Sequence, residues 1–188
     1  MDLQDYLFQE NLGDITKFPF KIETITLKKG TMVVDIGEIS KNIYFIVSGK
    51  IEAGMITPET TKIIDFIFEG NLFTPLSSLL NQSPNDVYHQ CLTKCVLQVI
   101  PYDQLSKACE TSVFASNFLI HFLKSYYLLR VQKEKDLITK DASQRYIELM
   151  KNKPEIIQDI PILKIAKYLG IHPYSLSRIR SIALKKKL

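Results

Sequence analysis

The sequence predicts an α+β chain in which an antiparallel β-roll comes first, a long helix follows and a helix-turn-helix closes the chain. Three observations predict it. From Phe20 to Ile100 short strand-like runs recur about every ten residues, punctuated by Gly and Pro, the pattern of an all-β sandwich or barrel. Between Pro101 and Pro154 there is neither Gly nor Pro, which a helix of many turns explains. From Ile162 to Ser181, ILKIAKYLGIHPYSLSRIRS, the apolar residues are spaced as in two short helices that share one core. These readings divide the chain at 1–112, 113–140 and 141–188.

Residues 1–19 hold a short helix that ends near Gly13. Ile22, Thr24 and Thr26 alternate as in a strand, and Lys29-Gly30 makes a turn. MVVDI, NIYFIV, KIEAGMI, KIIDFIF, DVYHQCL and CVLQVI then read as strands, with turns at Gly37, Ser48-Gly49 and Glu69-Gly70. Thr74-Pro75 reads as an N-cap followed by Pro at the first helical position, so LSSLL is a short helix interrupting the strands.

From Val113 to Lys140 the apolar residues include Phe114, Phe118, Phe122, Tyr126, Leu129 and Val131, with others on a second face. As one helix this segment spans about 40 Å at ~1.5 Å per residue. A helix so apolar buries more than one face: one against the β part and one against a second copy of the chain. Phe118, Phe122, Tyr126 and Leu129 are the residues assigned to that homodimer contact. The plainer alternative is a helix buried wholly within one chain. Asp141 with Gln144 three residues on makes a capping box that starts a new helix, ASQRYIELMKNK. Pro154 stops it, and PEIIQD turns the chain toward Pro161.

In the last element Ala166 and Gly170 stand four apart, where two helices cross and the chain turns. Gly170 suits the left-handed end of the first helix, and Pro173 suits the first turn of the second. That second helix exposes His172, Tyr174, Ser177, Arg178 and Ser181, a polar face fit for base edges and phosphates. Ser175 and Arg180 on the same helix, with Lys164 and Lys185 beside it, complete the DNA-binding set. An αα-hairpin that merely packs is the alternative.

Charge is distributed to match. Residues 141–188 carry ten Lys/Arg against four Asp/Glu, while residues 1–140 carry fourteen against sixteen. From Pro161 onward there is no acidic residue. A basic end on a slightly acidic body fits a polyanion, here double-stranded DNA. The start MDLQDYLFQE lacks the basic and apolar parts of a signal peptide, and no apolar run reaches bilayer length. Three cysteines, Cys91, Cys95 and Cys109, do not make a disulfide framework. The expected setting is the cytoplasm, with no membrane partner.

The order of β-roll, long helix, linking helix and terminal helix-turn-helix resembles the Crp/Fnr family, the cAMP receptor protein and its relatives among bacterial transcription regulators. YFIVSGKIEAG resembles the family's strand-turn-strand with its central glycine, here Gly49, and FEGNLF the lead into its ligand cassette. RYIELMKNKPEIIQDIPILKIAKYLGIHPYSLSRIR resembles its DNA-binding end, most closely the subgroup that stops soon after the recognition helix. The resemblance implies a cyclic-nucleotide-binding-like jelly roll, dimerisation through the long helix and regulation of transcription with RNA polymerase as a partner. It also places Arg178 where the family reads a base, and His172, Pro173 and Tyr174 where some members carry further base readers. Pro173 and Tyr174 differ from the cAMP receptor protein, which implies a different target sequence.

The ligand cassette departs from the pattern. The family's cyclic-nucleotide binders begin the cassette helix with Gly-Glu and neutralise the cyclic phosphate with an Arg further on. Here Thr74, Pro75 and the surroundings of Asn85 and Asp86 stand in those places. Between Asn71 and Gln90 there is no Lys or Arg, whereas a buried phosphate needs a counter-charge or several donors. The expectation is a pocket lined by Phe73, Thr74, Leu76, Ser77, Asn85 and Val87, not switched by cAMP, with an unknown small-molecule effector or none.

Other chemistry is weak in this sequence. No cysteine precedes Cys91, which removes the N-terminal iron–sulfur cluster that some relatives use. Cys91 and Cys95 read as free buried thiols. His89, His121 and His172 are scattered over three predicted elements, unlike the clustered ligands of a cupin-type metal enzyme. No nucleophile triad, phosphate loop or paired-carboxylate signature stands out, so neither an enzyme nor a cofactor is expected. The competing function is a signalling module whose β-roll binds a ligand or protein and whose C-terminal helices bind a partner protein.

Overall fold

The structure, a computed structural model, describes residues 1–58 and 60–185. Eight strands, β1 (Glu23–Leu27), β2 (Met32–Val34), β3 (Asn42–Ser48), β4 (Lys50–Ile56), β5 (Thr61–Phe68), β6 (Leu72–Phe73), β7 (Tyr88–Cys91) and β8 (Cys95–Pro101), form two four-stranded sheets. Their orders are β1-β8-β3-β6 and β2-β7-β4-β5, and every pairing is antiparallel. The helices are α1 (Leu3–Gln9), α2 (Leu76–Asn81), α3 (Tyr102–Cys109), α4 (Val113–Thr139), α5 (Ala142–Asn152), α6 (Pro154–Asp159), α7 (Ile162–Leu169) and α8 (Pro173–Lys185).

Side-chain alternation explains the layering. In β3 four consecutive residues, Ile43 to Ile46, are buried, because both faces of its sheet are covered. Tyr44 and Ile46 turn inward to Ile51, Phe73, Cys91 and Leu97, the core between the sheets. Ile43 and Phe45 turn outward to α1, α3 and α4 through Leu3, Leu7, Leu105, Phe118 and Phe122. The second sheet is covered on its far side as well. There Ile63 and Phe66 of β5 join Tyr146, Leu149, Ile156, Ile165, Leu169 and Leu176 of α5 to α8.

The helix boundaries follow local chemistry. Ser112 caps α4 by accepting from Ala115 N, and Asp141 with Gln144 makes the expected capping box at α5. Lys140, between those helices, bonds both Asp136 (2.7 Å) and Glu148 (2.6 Å), pinning the corner. Gly170 takes φ 70, ψ 32 at the end of α7, the left-handed turn expected there. The Arg145 guanidinium donates to Leu169 O (3.1 Å), satisfying one of that helix's last carbonyls.

Several boundaries differ from the sequence reading. PEIIQD is the helix α6, because Pro154 occupies its first turn and starts it. Pro75, not Thr74, is the N-cap of α2, and the Thr74 hydroxyl donates to Asn42 O (2.9 Å) on the neighbouring strand. α3 stands apart from α4, and two-residue β6 has too little sequence to announce it. Phe118 and Phe122, assigned to a dimer contact, are spent inside the chain's own core, and Tyr126 packs against that same core. Leu129 remains exposed.

Candidate nucleic-acid interface and cavity of the roll

α7 and α8 are joined by Gly170, Ile171 and His172 and share a core of Ile165, Ala166, Leu169 and Leu176. Burying Leu176 completely turns the other side of α8 outward, so Tyr174, Ser175, Ser177, Arg178, Arg180 and Ser181 are all exposed. Ser177 and Ser181 donate back to Pro173 O and Ser177 O within the helix, leaving their oxygens as acceptors. Arg178 and Arg180 make no ion pair among the described residues. His172 starts the helix: its Nδ1 accepts from Tyr174 N (3.2 Å). A neutral ring bonded in that way carries its hydrogen on Nε2 and presents a donor outward.

Lys164 is arranged differently. Its ammonium pairs with Glu52 of β4 (2.5 Å), so it faces the second sheet rather than open solvent. The Lys185 side chain, with Lys186 and Lys187, lies outside the described residues.

A cavity of about 320 Å³ opens between the roll, α4 and the α5–α6 junction. All six pocket residues named from the sequence, Phe73, Thr74, Leu76, Ser77, Asn85 and Val87, line it. Two of them are committed to backbone. Thr74 holds β3, and the Asn85 amide accepts from Val87 N (3.0 Å) and donates to Asp35 O (3.4 Å).

Apart from Asp86, the charged part of the cavity was not visible locally in sequence. Arg130 comes from α4 and Lys153 from the α5–α6 junction, and Asp65, Asp86 and Glu155 line the same space. Residues 71–90 supply no cation, as read from the sequence, and the cations that line the cavity come from more distant segments. Arg130 donates to Tyr126 OH (3.0 Å), one turn back, and lies 5.2 Å from that ring's centre. Asp65 pairs with Lys133 of α4, whose ammonium burial holds below the usual lysine range.

His89 belongs to this wall. It is 4% exposed, stacks on Phe73 with ring centres 5.3 Å apart, and its buried Nδ1 has no hydrogen-bond partner among the described residues. Burial pushes its pKa down to about 4; Asp65 opposes that shift and Arg130 adds to it. Cys91 and Cys95 are buried in the inter-sheet core, where their mutual hydrogen bond and burial push the Cys91 thiol up. No group of three His, Cys, Asp or Glu side chains among the described residues could hold a metal ion. No described helix is long and apolar enough to cross a membrane.

These features define a two-sheet β-roll joined by a long helix to a basic helical unit. Residues 24–112 match the family of cyclic nucleotide-binding domains. Among solved structures, FixK2 from Bradyrhizobium japonicum aligns at 16% identity with a TM-score of 0.74, covering 89% of this chain and 87% of that one. The c-di-GMP-responsive global regulator CLP from Xanthomonas campestris aligns at 17% identity and TM-score 0.70, covering 93% and 92%. A regulator described as of the crp/fnr family, from Eubacterium rectale, aligns at 15% and 0.70, covering 96% and 88%. The chain therefore shares the fold of these solved structures over nearly its whole length. No curated protein matches its sequence significantly.

Proposed function

We propose that this chain is a dimeric, sequence-specific DNA-binding transcription regulator of the Crp/Fnr type. The observation that carries the reading is α8: a helix held by Leu176, with Arg178, Arg180, Tyr174, Ser175, Ser177 and Ser181 exposed on a segment without acidic residues. Such a helix suits the major groove, where an arginine fork pairs with the two acceptors of guanine. Arg178 is the base reader, and His172 offers Nε2–H to a phosphate or base acceptor. RNA polymerase is the protein partner and the cytoplasm the setting.

Dimerisation is assigned to the side of α4 that turns away from the roll. Val113, Ile120 and Tyr127, each seven residues apart, are 77%, 62% and 66% exposed, and Leu128 beside them is 55% exposed. A seven-residue repeat of exposed apolar side chains is what two helices bury against each other. Two α8 helices about 34 Å apart then select an inverted repeat.

The cavity is the effector site, and its cassette is degenerate with respect to cyclic nucleotides. Lys133 is engaged by Asp65, while Arg130 and Lys153 share the cavity with Asp86 and Glu155. That balance leaves little surplus positive charge for a cyclic phosphate, so neither cAMP nor cGMP is the switch.

Selection of bound duplexes from a random pool, with and without cell metabolites, tests the reading. It should return an inverted repeat, enriched further when the effector is present. A pool without sequence preference would overturn the assignment.

A further inference from the structure

The cavity of the roll mixes charges of both signs, and their pairing narrows the kind of molecule it suits. Asp65 is engaged by Lys133. The other charged side chains of the lining are Arg130, Lys153, Asp86 and Glu155, two of each sign. None of the four makes an ion pair among the described residues. Opposite charges that share one cavity without touching need partners from elsewhere once water is displaced.

Lys153 and Glu155 are the informative pair. Lys153 closes α5, Pro154 starts α6 and Glu155 stands in its first turn, so one tight corner brings a cation and an anion to the same cavity. Both residues are half-buried. From α4 comes Arg130, whose guanidinium donates to Tyr126 OH (3.0 Å) and keeps the rest of its fork free. Burial lowers the pKa of the Lys133 ammonium against the pull of Asp65, and Arg130 and Lys153 lower it further, so both free cations lie near Lys133. Phe68, Leu72, Phe73, Leu76, Val87 and Leu129 line much of the remaining wall with apolar surface. His89 in that wall is uncharged at neutral pH, its pKa pushed down to about 4 by burial, so it cancels neither free carboxylate.

Resting on the reading of this cavity as the effector site, we propose that its ligand is a free α-amino acid with a large apolar side chain. Such a molecule carries its ammonium and carboxylate on one carbon, and the Lys153–Glu155 corner offers the complementary charges two residues apart. Arg130 adds a planar fork for the carboxylate, and the apolar wall takes the side chain. Other ligand classes leave charge uncompensated. A simple anion satisfies Arg130 and Lys153 but brings like charge toward Asp86 and Glu155, and an amine does the reverse. A neutral apolar molecule strips water from all four groups and returns nothing. The volume of about 320 Å³ is at the small end for ligand sites, which run from about 300 to 1,000 Å³, and suits one such molecule.

Isothermal titration of the full chain with leucine and phenylalanine, and with each molecule lacking its ammonium or its carboxylate, tests the ligand class. At least one amino acid should bind saturably, and both of its truncated forms at least about tenfold more weakly, the worth of one hydrogen bond to a charged group. Glu155→Gln should shrink the penalty for the missing ammonium, and Arg130→Gln the penalty for the missing carboxylate, with circular dichroism unchanged. A truncated acid that binds as tightly as its parent, or no saturable binding of either amino acid, overturns the ligand class. Should a variant fail to fold, the comparison among ligands decides alone. Operator affinity, read by fluorescence anisotropy at fixed salt, separates the two readings. An amino acid that binds without changing it overturns the effector reading and leaves the ligand class standing. A truncated acid that binds best and shifts operator affinity overturns the ligand class and leaves the effector reading standing.

Discussion

His89 makes the stability of the roll depend on pH in a way that can be calculated. Its folded pKa is about 4 against an ordinary value of 6.5, because the ring is buried against Phe73. Above pH 6.5 the ring is neutral whether the chain is folded or not, and it contributes no pH dependence. Between 6.5 and about 4 the unfolded chain binds a proton that the folded one refuses, so stability falls as pH falls. The slope is about 1.4 kcal/mol per pH unit, and the full loss over the window is about 3 kcal/mol. Carboxylates titrate in the lower part of the same range, so the effect must be isolated by substitution. His89→Phe keeps an aromatic ring on Phe73, removes the titration and removes the unpartnered Nδ1. Urea unfolding of both proteins at pH 7.5, 5.5 and 4.5, at one protomer concentration, gives the comparison. The wild type should lose about 2–3 kcal/mol relative to His89→Phe between the first and last pH. Parallel curves for the two proteins would refute the argument, since they would mean that the buried ring accepts its proton at no cost.

Arg178→Ala should cost about 1–3 kcal/mol on the selected operator and relax preference at one position per half-site, whereas alanine at Lys185, Lys186 and Lys187 should weaken all duplexes alike and flatten the salt dependence. Equal loss on random DNA after Arg178→Ala would remove it as a base reader. Ile120→Glu with Tyr127→Glu should sediment as a monomer, while Phe118→Ala should leave the dimer intact and cost about 3–5 kcal/mol of stability from the core it fills. Isothermal titration with cAMP and cGMP should show no micromolar binding, and neither nucleotide should change operator affinity; a micromolar site with a gain in affinity would reverse that assignment.

Much of the architecture was legible because it is local. Gly and Pro mark the ends of strands β1 to β5, the Asp141–Gln144 box starts α5, and Gly170 with Pro173 frames the turn between α7 and α8. What stayed hidden depends on contacts far apart in sequence. The period of α4 shows that both its sides are apolar, but not which side meets the roll. Phe118 and Phe122 went inward because Ile43, Phe45 and Leu105 provide the complementary surface. All six named pocket residues line the cavity because they lie within one short segment that folds over it. Arg130, Lys153, Asp65 and Glu155, four of its charged members, come from distant parts of the chain and share no spacing that a sequence could display. The position of Arg130 one turn after Tyr126 is the sole local hint, since both then lie on one face of α4.

Lys164 shows why exposure and charge in a sequence do not by themselves assign a DNA contact. A lysine on the first helix of such a pair reads as a phosphate ligand, and nothing in its neighbours argues otherwise. Its partner Glu52 lies 112 residues away on β4, beside the apolar outward residues Ile63 and Phe66 of the adjacent β5. A carboxylate in that setting needs a cation, and α7 supplies one. The same floor that buries apolar surface from α5 to α8 therefore also selects one orientation of the helical unit. Moving that unit means breaking the ion pair and uncovering Phe66 together, so the two contributions act as one latch rather than as independent contacts. Arg178, on the far side of α8 from Leu176, is outside that latch, which leaves base reading and docking to separate residues on the same small unit.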